Sequence, residues 1–137
     1  MAAGIYIHIP FCVKKCNYCD FFSQPVDDEN IIKSYTRALL KEIAFYGEKY
    51  GKKFEADSVF FGGGTPSLIK PSFIARIIED LRQDFDIKDD AEISMECNPA
   101  TADEEKLAAY RKAGVNRLSI GAQSFDDQVL KKLGRIH

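Results

Sequence analysis

Short runs of β-branched and aromatic residues alternate along this chain with segments whose apolar residues recur at helical spacing. Alternation of that kind is the pattern of parallel strands joined by crossover helices, because parallel neighbours cannot be linked by a hairpin. The strands are expected at residues 5–9, 58–61, 92–97 and 117–122. A first helix over residues 29–47 would place Ile32, Tyr35, Leu39, Ile43 and Tyr46 on one face. Pro71 suits the first turn of a second helix, in which Ile74, Ile77, Ile78, Leu81 and Phe85 repeat at helical spacing. Thr101-Ala102-Asp103-Glu104 has the spacing of a capping box for a third helix, with Gly114 as its stop. Ser124 with Asp127 reads as the N-cap of a last short helix running through Leu130 and Leu133 to Gly134.

The fold class is therefore α/β, about four βα units of a partial parallel (β/α) barrel. A closed eight-stranded barrel takes about 250 residues, and the chain has 137. No linker, repeat or low-complexity tract marks a second domain, and nothing after the fourth strand covers its edge. Residues 1–137 are expected to be the N-terminal portion of an incomplete barrel; the alternative is a small open sheet that ends here by design.

Composition narrows the partners. Hydrophobic residues make up 45% of the chain, enough for a core, and 19 basic against 21 acidic residues leave a net charge of -2. No overall field selects nucleic acid. The longest apolar runs, residues 4–10 and 59–64, fall far short of the ~20 residues of a membrane-spanning helix. Met1-Ala2-Ala3-Gly4-Ile5 lacks the basic and apolar regions of an export signal, so the cytoplasm is the expected compartment.

Side chains of a strand point alternately to its two faces. Ile5, Ile7 and Ile9 then oppose Tyr6 and His8; Ile93, Met95 and Cys97 oppose Ser94 and Glu96; Leu118 and Ile120 oppose Ser119, Gly121 and Gln123. With helices on the apolar side, Tyr6, Glu96 and Gln123 should converge on the inner face near the C-terminal strand ends, where such folds place their sites. A satisfied internal hydrogen-bond network is the competing explanation, and for His8 it is at least as good. Glu96 is harder to explain that way, since an ionised carboxylate there needs a donor or cation to offset desolvation.

Three of the four cysteines, Cys12, Cys16 and Cys19, occupy one short loop directly after the first strand, while Cys97 stands apart. In a reducing compartment clustered cysteines are metal ligands before they are disulfides. A closed zinc site needs a fourth ligand, for which His8 or Cys97 is available. A cubane of four irons held by three thiolates would instead leave one iron open to a small molecule. The second strand runs into Gly62-Gly63-Gly64-Thr65-Pro66, which matches neither the GxGxxG nor the GxxxxGK(S/T) nucleotide pattern but lets backbone approach a ligand closely. Cys97 reads as an apolar residue on the helix-facing side, and Asp126, Asp127, Lys131 and Lys132 as a solvated helix surface.

The CxxxCxxC spacing, with Tyr18 before the last cysteine, resembles the cluster motif of radical S-adenosylmethionine (SAM) proteins. Tyr6-Ile7-His8-Ile9-Pro10-Phe11-Cys12, the Gly62–Pro66 loop, Glu96-Cys97-Asn98-Pro99, Gly121-Ala122-Gln123-Ser124-Phe125 and Leu133-Gly134-Arg135-Ile136-His137 occur in that order. Together they resemble the oxygen-independent coproporphyrinogen III oxidase family and its haem-chaperone branch. The resemblance implies a radical SAM barrel, a [4Fe-4S] cluster on Cys12, Cys16 and Cys19, and SAM on its open iron. It further implies Tyr6 beside the cluster and SAM; Gly63, Gly64 and Thr65 as the glycine-loop contacts of SAM; Glu96 as an acidic contact; and Gln123 and Arg135 as further ligand-pocket positions, which in the oxidase meet a second SAM. An electron delivered through the cluster would then cleave SAM to methionine and a 5′-deoxyadenosyl radical.

Two departures bear on the branch. Phe21 stands where the oxidase has a further cysteine, and the chain reaches its first strand without the oxidase's longer N-terminal segment. Both resemble the haem-chaperone branch, which implies haem as ligand, a haem-acceptor protein and an electron donor protein as partners. The rival is the oxidase itself, with a porphyrinogen substrate whose two propionates become vinyl groups, and a structural zinc module is the remote alternative.

Overall fold

The computed structural model describes residues 2–137. Its main sheet has four parallel strands: β1 (Ala2–Ile9), β4 (Glu55–Gly63), β5 (Asp86–Cys97) and β6 (Arg117–Ile120), in the spatial order β1-β4-β5-β6. Each strand is thus followed in space by the next main-sheet strand of the chain, as in a segment of a (β/α) barrel and unlike a doubly wound sheet, where the order reverses. The four helices are α1 (Glu29–Tyr50), α2 (Pro71–Asp84), α3 (Glu104–Ala113) and α4 (Asp127–Leu133). A small parallel pair, β2 (Phe11–Cys12) with β3 (Gln24–Pro25), was not predicted. It closes the base of the cysteine loop, with Gln24 N donating to Pro10 O at 2.8 Å and Val26 N to Cys12 O at 3.0 Å.

The alternation read from sequence is the one that builds the core. Ile7, Ile9, Val59, Phe61, Ile93 and Met95 pack against Leu39 and Ile43 of α1, Ile74, Ile77, Ile78 and Leu81 of α2, and Tyr110 of α3. Cys97 is buried as expected. The opposite face is polar from β5 to β6: Ser94 accepts from Arg117 Nη1 at 3.3 Å and donates to Glu92 at 2.6 Å. Pairing sets Tyr6 beside Phe60, Phe60 beside Ser94, and Glu96 beside Ser119. Ile120, expected on the apolar face, is 58% exposed, because β6 is an edge strand with no following strand beside it among the described residues.

Several boundaries move for identifiable reasons. Gly47 does not stop α1, which runs on to Tyr50; a Cβ on Gly47 would stand 2.5 Å from Asp84 Cβ, so this glycine lets the C-terminal end of α2 approach closely. Tyr46 is left exposed while Thr36, Leu39, Ile43 and Gly47 form the buried stripe. Thr101 does not cap α3. Its hydroxyl donates to Asn98 O at 3.0 Å and pairs with Ser67 Oγ, and the Asp103 carboxylate caps instead by accepting from Lys106 N at 2.8 Å. At α4 the cap is Asp126, accepting from Gln128 N and Val129 N, while Ser124 Oγ accepts from Asp126 N. Gly114 ends α3 with φ 116°, as predicted. β5 begins at Asp86, earlier than its apolar run, and β6 ends at Ile120.

Met95 is fully buried at the centre of the sheet. Replacing it with alanine is expected to lower unfolding free energy by about 2–5 kcal/mol through lost transfer energy and a residual cavity. Urea denaturation followed by circular dichroism measures this; an unchanged midpoint would show that the site is not packed as described.

Candidate active site

The C-terminal ends of the strands surround a cavity of about 240 Å³. Cys12, Cys16 and Cys19 line it from one side, Gly63, Gly64 and Thr65 from the next, and Glu96, Gln123 and Arg135 from β5 and the segment after β6. Of the ten residues expected as cluster or cofactor contacts, these nine share one cavity, and Cys97, expected on the helix-facing side, lines it as well. Tyr6 is not among them. Its ring lies on the same sheet face, 57% exposed, next to Phe60.

Backbone hydrogen bonds build the junction of cysteine loop and glycine loop. Gly64 N donates to Ile9 O and Thr65 N to Phe11 O, both at 2.7 Å, so the glycine loop continues to pair with the first strand past its end. Only glycine fits there. Gly63 has φ 119°, and a Cβ on Gly64 would stand 2.6 Å from Phe11 O and 3.0 Å from Cys12 Sγ. Gly63 N also donates to Glu96 Oε2 at 3.1 Å, which supplies the donor that a carboxylate at the strand end requires. The far end of the loop is braced as well. Asn98 N donates to Ser67 Oγ, Lys106 Nζ donates to Ser67 O and Thr101 O, and the buried Tyr110 hydroxyl donates its one hydrogen to Ile69 O, with Ser67 O 3.1 Å away. Burial pushes the Lys106 amine below its ordinary pKa, with Asp103 and Cys97 opposing, and pushes the Tyr110 phenol up.

His8 belongs to a satisfied network. Phe22 O can only accept, so Nε2 donates to it at 2.9 Å, and Nδ1 is hydrogen-bonded to the Tyr6 hydroxyl, also at 2.9 Å. With both nitrogens engaged, His8 is a poor fourth ligand for zinc. Among the described residues no three His, Cys, Asp or Glu side chains gather closely enough to ligate one ion. Thiols spread around one opening suit a cluster in which each ligand binds a different iron, so the donor set fits an iron–sulfur cluster better than a single metal.

Sequence reasoning passed over three features. Asn17, between the second and third cysteines, donates from its backbone N to Leu133 O at 3.3 Å and from its side chain to Lys132 O at 3.2 Å. Lys14 lines the cavity, and only its position between ligand candidates could have signalled it. Gln123 has φ 64°, a left-handed conformation rarely adopted by such a residue, in the cavity wall.

The comparisons with known proteins agree with this geometry. A family model described as the Radical SAM superfamily matches residues 6–137. The chain belongs to the radical SAM superfamily. Membership implies a [4Fe-4S] cluster and SAM as cofactors. The chain is 43% identical over 134 residues to a protein of Escherichia coli strain K12 named Heme chaperone HemW, covering 98% of this chain and 35% of that one. It is 38% identical to an oxygen-independent coproporphyrinogen III oxidase of Bradyrhizobium diazoefficiens, covering 98% and 30%. The structure of coproporphyrinogen III oxidase HemN from Escherichia coli superposes with a TM-score of 0.91 at 32% identity, over 99% of this chain and 31% of that one. The chain therefore spans about a third of the length of the relatives it matches. No helix among the described residues is long and apolar enough to cross a membrane.

Burial first, and then the Glu96 carboxylate, hold the Tyr6 phenol above its ordinary pKa, since both disfavour the phenolate. Glu96→Gln removes the second cause, so the Tyr6 titration is expected to move to lower pH. Nuclear magnetic resonance of ring-labelled tyrosine follows it, and an unmoved titration would separate the two side chains.

Proposed function

We propose that Cys12, Cys16 and Cys19 hold three irons of a [4Fe-4S] cluster and that SAM occupies the adjoining cavity at the fourth. The observation that carries this reading is the shared cavity, in which three thiols face a glycine loop, a carboxylate and a guanidinium. When bound, the cluster supplies one-electron chemistry to SAM. The chain's own residues bind and orient. Backbone groups of Gly63, Gly64 and Thr65 approach the ligand's amino-acid end, and the Glu96 carboxylate, positioned by Gly63 N, accepts from ligand hydroxyl or amino groups. Tyr6 lies outside the lining on the same sheet face, its hydroxyl engaged with His8. Gln123 and Arg135 close the far wall, and Arg135 Nε, buried without a partner, is a donor left for an acceptor on the ligand.

At the level of the whole protein, we propose a haem chaperone, which binds haem and hands it to an acceptor protein in the cytoplasm after an electron donor reduces the cluster. Phe21, which lines the cavity in place of the oxidase's extra cysteine, and the 39–43% identity to HemW proteins of three bacteria support this branch. Coproporphyrinogen III oxidation is the second reading, favoured by the close superposition on HemN.

Cys16→Ala is expected to abolish cluster assembly under anaerobic reconstitution, read as iron and sulfide content and visible absorbance; an intact cluster would remove the ligand assignment. Glu96→Gln should weaken SAM binding about tenfold or more, the scale of a lost charge-assisted hydrogen bond, while leaving iron content near wild type. Equal affinity by calorimetry would remove Glu96 from the SAM site. The branch is decided by giving the reconstituted protein SAM and reductant with either haem or coproporphyrinogen III: stable haem binding without decarboxylation supports the chaperone, and protoporphyrinogen formation supports the oxidase.

A further inference from the structure

The turn that follows α4 is fastened to the cysteine loop, although the two are far apart in sequence. Asn17 donates to Leu133 O and Lys132 O, and a Cβ on Gly134, whose φ is 72°, would stand 3.0 Å from Asn17 Cγ. This close approach brings Arg135 over the loop. Its Nη1 donates to Cys16 Sγ at 3.5 Å and to Tyr18 Oη at 3.3 Å, while Nη2 donates to Gly121 O at 2.7 Å, just beyond β6. The guanidinium is thus anchored on the sheet side by one arm of a rigid fork and presents the other to a cysteine sulfur.

A guanidinium remains charged at every working pH. A charged donor directed at a sulfur favours the more negative state of whatever that sulfur ligates, and hydrogen bonds to sulfur together with local charge set the potentials of iron–sulfur clusters. We propose that Arg135 is a positioning residue that clasps the cysteine loop to the end of β6 and raises the reduction potential of the cluster bound through Cys16. This rests on the cluster reading above, but concerns a bond to the ligand sulfur rather than to SAM. Electron entry into the cluster is then tied to the docking of a turn more than a hundred residues downstream.

Two measurements test it. In the metal-free protein, amide hydrogen exchange across residues 13–20 is expected to quicken about tenfold or more in Arg135→Gln, as one charge-assisted hydrogen bond is lost; unchanged exchange overturns the clasp. In reconstituted protein, redox titration followed by electron paramagnetic resonance is expected to place Arg135→Gln at a more negative potential than wild type. Arg135→Lys, which keeps the charge but not the fork, should fall between, and it carries the comparison if Arg135→Gln does not retain a cluster. Equal potentials across variants that all hold a full complement of iron overturn the role of Arg135 alone. A wild-type protein that assembles no cluster overturns the cluster reading itself.

Discussion

The pairing of the glycine loop with the chain that leaves β1 is the constraint on which the site depends. Through Gly64 N on Ile9 O and Thr65 N on Phe11 O, backbone from the end of β4 continues the sheet beneath the cysteine loop. Side chains larger than hydrogen at Gly63 or Gly64 would push the two strands' ends apart and carry Cys12 away from the cavity. Gly63 and Gly64 are therefore structural as much as ligand-directed: the same lack of a Cβ that exposes their backbone to a ligand is what lets the cysteine loop sit close enough to share it.

Around that junction the fold supplies support in layers. The β2–β3 pair closes the loop at its base, and Asn17 and Arg135 hold its far side against the turn after α4. The glycine loop is held from the other direction by the Ser67, Asn98, Thr101, Lys106 and Tyr110 hydrogen bonds. A loop carrying three thiols is thereby restrained on both sides by the chain's own hydrogen bonds, and such support from outside the loop reduces the ordering that a ligand must impose. Glu96 joins the two halves, since it projects from β5 and accepts from the glycine loop.

Much of this was legible in the linear chain. Strand alternation placed Ile7, Ile9, Ile93, Met95 and Cys97 on the buried face because period two is a local property of any strand. The cysteine spacing and the glycine run were legible for the same reason, as each lies in one short segment. The helix caps are less local, because two candidates compete at each. Thr101 and Ser124 have the right chemistry, but Asp103 and Asp126 take the caps because long-range partners engage Thr101 and because Ser124 bonds to the Asp126 backbone. The glycine at position 47 is explained only by the position of Asp84, which a Cβ there would meet.

The sequence by itself determined the βα succession, the apolar face of the main strands and the identity of the thiol-bearing loop, since these follow from local periodicity and residue chemistry. Only the tertiary structure decided which polar residues share a cavity. It left Tyr6 bonded to His8 outside the lining, brought Lys14 in, paired Gly63 N with Glu96, and set Arg135 against Cys16. Those outcomes depend on strand register and on the approach of segments distant in the chain, and no local pattern encodes a distance between residues that meet only after the sheet has formed.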